Sequence, residues 1–62
     1  MRLRVNGQET DAAAATLGEL LGPLPHGSAV AVNGHVVPRA GVSGHPIVDG
    51  DDVEVVTAVA GG

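Results

Sequence analysis

Two Asn-Gly dipeptides, Asn6-Gly7 and Asn33-Gly34, constrain this 62-residue chain more than any other feature. Asn-Gly suits the two central positions of a type I′ turn, where both residues need φ > 0. Each pair therefore predicts a tight hairpin. Before the first, Met1, Leu3 and Val5 alternate with Arg2 and Arg4, which reads as a strand with one apolar face. A mostly polar return strand from Gln8 to about Ala12 belongs at a sheet edge, with one face in water. Around the second turn, Ala29–Val32 alternates small and β-branched residues, and His35–Val37 returns. Pro38 ends that strand or confines it to an edge.

Between the hairpins, Thr16 precedes Glu19 by three residues, a capping box that starts a helix. Leu17, Leu20, Leu21 and Leu24 then form one apolar stripe. Pro23 stops the helix near Leu21 or Gly22. At about two turns it is too short to stand alone and must dock on a sheet. Beyond the second hairpin, residues 39–46 are loop-like, Ile47-Val48 is a short strand, and Asp49-Gly50-Asp51 is a turn. Val53–Ala58 is the last strand. This order predicts an α+β two-layer domain, with one helix covering one face of the sheet. Pairing the first and last strands in parallel at mid-sheet buries both and lets the second hairpin extend the far edge.

Composition narrows the chemistry. One domain is all this length allows, and a chain so short buries only about 60% of its unfolded surface. Without Phe, Trp or Tyr the core must be Val, Leu, Ile and Ala, and no aromatic platform can stack bases. Without Cys there is no disulfide, thiolate metal site or iron–sulfur cluster, and a cytoplasmic location is the default expectation. A net charge of −4 argues against nucleic acid and anionic membranes and suggests a basic partner surface. Neither a signal peptide nor a span of about 18 apolar residues is expected.

The sequence ends in Val59-Ala60-Gly61-Gly62, directly after a β-type run. A strand followed by two residues without side chains makes a stiff base and a thin, flexible tip. Four extended residues reach about 13 Å at ~3.3 Å each. The reactive group at the tip is the α-carboxylate of Gly62. All three basic residues are arginines. That fits a codon bias, and it also leaves no lysine amine near an activated acyl group.

In order and spacing, Val32-Asn33-Gly34, Val37-Pro38-Arg39, Asp49-Gly50-Asp51 and Val59-Ala60-Gly61-Gly62 resemble the ThiS family of sulfur carriers of thiamine biosynthesis, over essentially the whole chain. The resemblance implies a β-grasp (ubiquitin-like) fold: a mixed four- to five-stranded sheet, one short helix, a body at residues 1–58 and a reactive tail at 59–62. It implies a protein co-substrate rather than an enzyme. A ThiF-like adenylyltransferase would consume ATP to adenylate Gly62, a sulfur donor protein would convert it to a thiocarboxylate, and a ThiG-like thiazole synthase would take the sulfur. The related molybdopterin-synthase small subunit approaches its tail with aromatic and proline residues, and this chain has neither after Pro46. A protein-conjugating ubiquitin-like modifier and a β-grasp interaction module are the further alternatives.

Gly62 is thus the expected reacting residue, and Gly61 gives access to it. Strict alternation along the last strand puts Val56 and Ala58 on the face away from the helix, where with Val59 and Ala60 they form an expected partner contact. Asp49, Asp51, Asp52 and Glu54 read either as a charged, solvated turn or as a group steering the chain toward a basic surface. His26, His35 and His45 each sit beside a turn and fit no ligand spacing, so no metal site and no bound cofactor are expected. Ser28, Thr16 and Thr57 have no patterned base around them, and no phosphate-cradling loop is present.

Overall fold

A computed structural model describes residues 1–57. The elements are β1 (Arg2–Val5), β2 (Gln8–Asp11), α1 (Leu17–Leu21), β3 (Ser28–Val32), β4 (His35–Val37) and β5 (Asp52–Thr57). They form one mixed sheet in the order β2-β1-β5-β3-β4. β1 and β5 are parallel at mid-sheet, and all other pairings are antiparallel. β2 and β4, the strands expected at edges, occupy the edges.

Both hairpins turn as the Asn-Gly pairs require. Asn6 and Gly7 have φ of 51° and 81°, and Asn33 and Gly34 have 53° and 83°. The left-handed region is open to Gly and tolerated by Asn. That is why these four residues, and not their neighbours, set the reversals.

The helix starts at the expected cap but is shorter than two turns. Thr16 Oγ1 accepts from the Glu19 N–H at 3.2 Å. Glu19 Oε1 accepts from the Ala15 N–H at 2.7 Å, one residue before the cap amide that a standard capping box uses. The chain entering the helix is bridged to a neighbouring loop: Leu17 N–H donates to the His45 carbonyl, and Ile47 N–H to the Ala15 carbonyl. Gly22, at φ 69°, caps the other end and returns its N–H to the Gly18 carbonyl at 2.9 Å. Gly18 is where that loop presses closest. A Cβ there would lie 2.6 Å from the Ser43 carbonyl oxygen.

Among the described residues the hydrophobic core is aliphatic: Leu3, Leu17, Val30, Val32, Val37, Ile47 and Val53 are buried. Leu17 and Val53 are fully enclosed. Leu20, Leu21 and Leu24 pack against this cluster but stay partly exposed. One short helix cannot roof five strands, so half-burial of its stripe is the geometric result.

Ile47-Val48 does not form a strand. Ile47 is a core side chain, whereas Val48 is exposed. Pro46 before the pair and the Asp49-Gly50 turn after it leave no run long enough for a ladder. The Val48 N–H donates to the Asp51 carboxylate instead. Residues 39–46 are also more ordered than a plain loop, with a single 3₁₀ turn at Arg39–Gly41.

Candidate functional site at the end of the central strand

β5 lies between β1 and β3 and is held on both sides. Toward β3 the register runs its full length, from Val32↔Val53 to Ser28↔Thr57. Toward β1 only Asp52 and Val53 have strand partners, because β1 turns away at Asn6. Hydrogen bonding continues one step past that point. Asn6 N–H donates to the Val53 carbonyl at 2.8 Å, and Val55 N–H donates to Asn6 Oδ1 at 2.8 Å. A side-chain amide thus extends a backbone ladder.

Asn33 does comparable work at the start of the strand. Its N–H donates to the Asp52 carbonyl at 2.8 Å, and its Oδ1 accepts from the Asp52 N–H at 3.0 Å. Its Nδ2 donates to Asp51 Oδ1 at 3.0 Å, while Asp51 Oδ2 accepts from the Val48 N–H at 2.9 Å. Both turn asparagines therefore grip β5. The Asn-Gly pattern by itself assigns them only to their turns. The available signal was that Asn, rather than Asp or Gly, precedes Gly at both sites, offering a donor and an acceptor on one side chain.

The acidic group at the start of β5 divides into two pairs, and it is not a uniformly solvated turn. Asp51 is only 8% exposed, and Asp49 Oδ1 accepts from the Arg2 N–H at 2.6 Å. Both carboxylates are occupied in holding the turn. Asp52 and Glu54 are exposed and remain available to a partner.

The sheet face opposite α1 also has two halves. On β1 and β2, Arg2 and Arg4 pair with Glu9 at 3.1 and 3.9 Å. On β3, β4 and β5, the pairings Ala31↔Glu54, Ala31↔Val36 and Ala29↔Val56 set mostly apolar residues side by side. Val56 is 64% exposed and Val36 73%. Val56 therefore lies on the outward face that alternation assigns to it, and Val36 lies on the same face two strands away, across β3. Ala58, Val59, Ala60, Gly61 and Gly62 lie outside the described residues.

A mostly apolar cleft of about 360 Å³ opens at the same end of the sheet, between α1 and the β3–β4 hairpin. Leu24, Ser28, Val30, Val37 and Val42 are among its lining residues. Ser28 Oγ is buried with no hydrogen-bond partner among the described residues. His26 and His35 are exposed, and His45 is half-buried. Among the described residues no three His, Asp or Glu side chains gather as a metal site, and no helix is long and apolar enough to cross a membrane.

A model of the ThiS family matches residues 3–62. The chain belongs to the ThiS family. It is also similar, over 100% of both chains, to the crystal structure of the thiamine biosynthesis protein ThiS from Geobacter metallireducens, with 30% sequence identity and a TM-score of 0.79. A search of curated proteins gave no match. Members of the ThiS family are small sulfur carrier proteins of thiamine biosynthesis, not enzymes. The five-stranded mixed sheet with one short helix is the β-grasp arrangement that this membership requires.

Proposed function

We propose that this protein carries sulfur on Gly62 for formation of the thiazole ring of thiamine. The observation that carries the reading is positional. In a ThiS-family domain, the central strand β5 is held by turn asparagines at its first residue, Asp52, and at Val55, and the sequence runs on from it to Gly61-Gly62.

The chemistry follows from the carboxylate. At neutral pH it is ionised, with a reference pKa of about 3.3–3.7, and it is a poor electrophile. Attack of a Gly62 carboxylate oxygen on the α-phosphorus of ATP forms an acyl-adenylate and releases pyrophosphate. Hydrosulfide, released from the sulfur donor, then adds at the acyl carbon, the bond to AMP breaks and a proton is lost, leaving a thiocarboxylate. Gly62 has no Cβ to hinder that attack, and Gly61 can take backbone angles closed to other residues inside a narrow channel. A ThiF-like adenylyltransferase supplies the first step, a sulfur donor protein the second, and a ThiG-like synthase consumes the product, all in the cytoplasm. The chain itself contributes no catalytic group. Val56, with Ala58, Val59 and Ala60, forms the contact that both partner enzymes read.

Intact-mass measurement after incubation with the adenylating partner, ATP and a sulfur source tests the proposal. Replacement of one oxygen by one sulfur is the expected change, and deletion of Gly62 abolishes it. Adducts joining the chain to other proteins would instead identify a modifier, and an unchanged mass with an active cognate enzyme would overturn the tail chemistry.

A further inference from the structure

The ladder between β1 and β5 has an unusual last rung. In a parallel pair the bonds are evenly spaced and alternate between the strands. Arg4 N–H donates to the Asp51 carbonyl, Asn6 N–H donates to the Val53 carbonyl, and the next N–H in the series is that of Val55. Its regular acceptor would be the backbone carbonyl of residue 6. Asn6, however, is left-handed at φ 51°, already turning into the hairpin. The acceptor is its side-chain oxygen, at 2.8 Å. The same residue thus ends β1 and extends the support of β5 to Val55. Among the described residues, Val56 and Thr57 then have ladder partners on the β3 side alone, Ala29 and Ser28.

We infer that Asn6 is a positioning residue for the reaction at Gly62: its side-chain oxygen holds β5 from the β1 side at Val55, beyond the reach of the regular ladder. The inference rests on the proposed carrier function. Asn6 lies at the first turn, 49 residues before the amide it holds, and touches neither ATP nor the reacting carboxylate on this reading. Its effect runs through the backbone of Val55, the last point at which β5 is held from both sides. If that point loosens, the body still docks through its outward face, but the end of β5 that leads to Gly62 is set less firmly. The carboxylate then spends less time where it can attack. Misplacing a reacting group by about 1 Å can cost on the order of 100-fold in rate.

Two substitutions separate the turn from the bond. Asn6→Gly keeps a residue at home with φ > 0 and removes the acceptor. Asn6→Asp keeps both the tolerance for left-handed geometry and an acceptor oxygen. Adenylation by the partner enzyme, followed as pyrophosphate release at varied carrier concentration, should show kcat reduced about tenfold for Asn6→Gly, with KM changed less than about twofold. Asn6→Asp should restore the rate. Amide exchange at Val55 should speed up in the glycine variant and recover in the aspartate variant. All three proteins are compared at a temperature where each is folded, so a mere loss of stability leaves kcat unmoved. Failure of the wild-type chain to be adenylated overturns the carrier function and this assignment with it. Wild-type activity matched by Asn6→Gly overturns the assignment alone. A slow Asn6→Gly that Asn6→Asp does not rescue also overturns it, because the acceptor oxygen would then not be the operative group.

Discussion

The Asn33 side chain donates to Asp51 at 3.0 Å while accepting the Asp52 N–H at the same distance, so one amide closes the start of the central strand. Asp51 in turn satisfies the Val48 N–H. Removing the Asp51 carboxylate by Asp51→Ala leaves two donors without their acceptor in a part-buried place. The expected cost is about 1–3 kcal/mol. At roughly 4–8 °C per kcal/mol for a domain near this size, the melting temperature should fall by at least about 4 °C. Asn33→Gly keeps the hairpin and removes the side-chain bonds. A double-mutant cycle on thermal melts should then give a coupling above about 0.5 kcal/mol. Purely additive losses would mean that the two residues do not act as a unit.

Gly18 supplies a prediction whose sign runs against helix propensity. Inside a helix, Gly→Ala normally stabilises by about 0.5–1 kcal/mol. Here the added methyl would meet Ser43 backbone, 2.6 Å from its carbonyl oxygen and 2.9 Å from its Cα. Backbone cannot rotate aside as a side-chain tip does, so loop 39–45 must shift or the helix must lift. Gly18→Ala should lower the melting temperature. Gly41→Ala, where nothing lies within 4 Å of the new methyl, serves as the control and should change it little. A stabilised Gly18→Ala would show that the loop yields freely.

The parts of this fold that were legible in the sequence are those set by local rules. Asn-Gly at both turns, the Thr16 cap, Gly22-Pro23 at the helix end and alternation in β1 and β5 all act within a few residues, and the elements formed where they point. Parallel pairing of β1 with β5 was legible because it buries Leu3, Val5, Val53 and Val55 together. What could not be read was long-range. The bonds from Asn6 to Val55 and from Asn33 to Asp51 join residues 49 and 18 positions apart. Ile47-Val48 carried a strand-like composition, but its neighbours Pro46 and Gly50 left it a single buried side chain. In the candidate site, alternation placed Val56 outward; that Val36 shares its face, across β3, became visible only through the register of β3 with β4 and β5.

The division of the acidic group makes electrostatic steering specific. Asp49 and Asp51 are hydrogen-bonded into the turn, which leaves Asp52 and Glu54 as the exposed carboxylates on the start of β5. If they draw the chain toward a basic partner surface, association should slow as salt rises, since the Debye length shortens from about 10 Å at 0.1 M to about 3 Å at 1 M. Asp52→Asn with Glu54→Gln should slow association at low salt and flatten that dependence, with little change in dissociation. Stopped-flow association rates with the adenylating partner decide this. Rates indifferent to both salt and the double substitution would remove the steering role.

Val56 and Leu17 should respond in opposite ways to substitution. Leu17 is fully enclosed, and Leu17→Ala should cost about 2–5 kcal/mol. A chain of this length has a total stability of only about 3–9 kcal/mol, so the variant should be largely or partly unfolded. Val56 is 64% exposed on the opposite face of the sheet, beside Ala29. Val56→Asp should cost at most about 1 kcal/mol of stability, the span of strand preference. Burying the new charge at a docked apolar surface should nevertheless weaken binding to the adenylating partner by at least about tenfold, or 1.4 kcal/mol. Thermal melts and a binding titration on the same samples separate the two effects. A Val56→Asp chain that melts like wild type and binds like wild type would move the docking surface away from this face. One that unfolds would mean Val56 is held more firmly than its exposure implies.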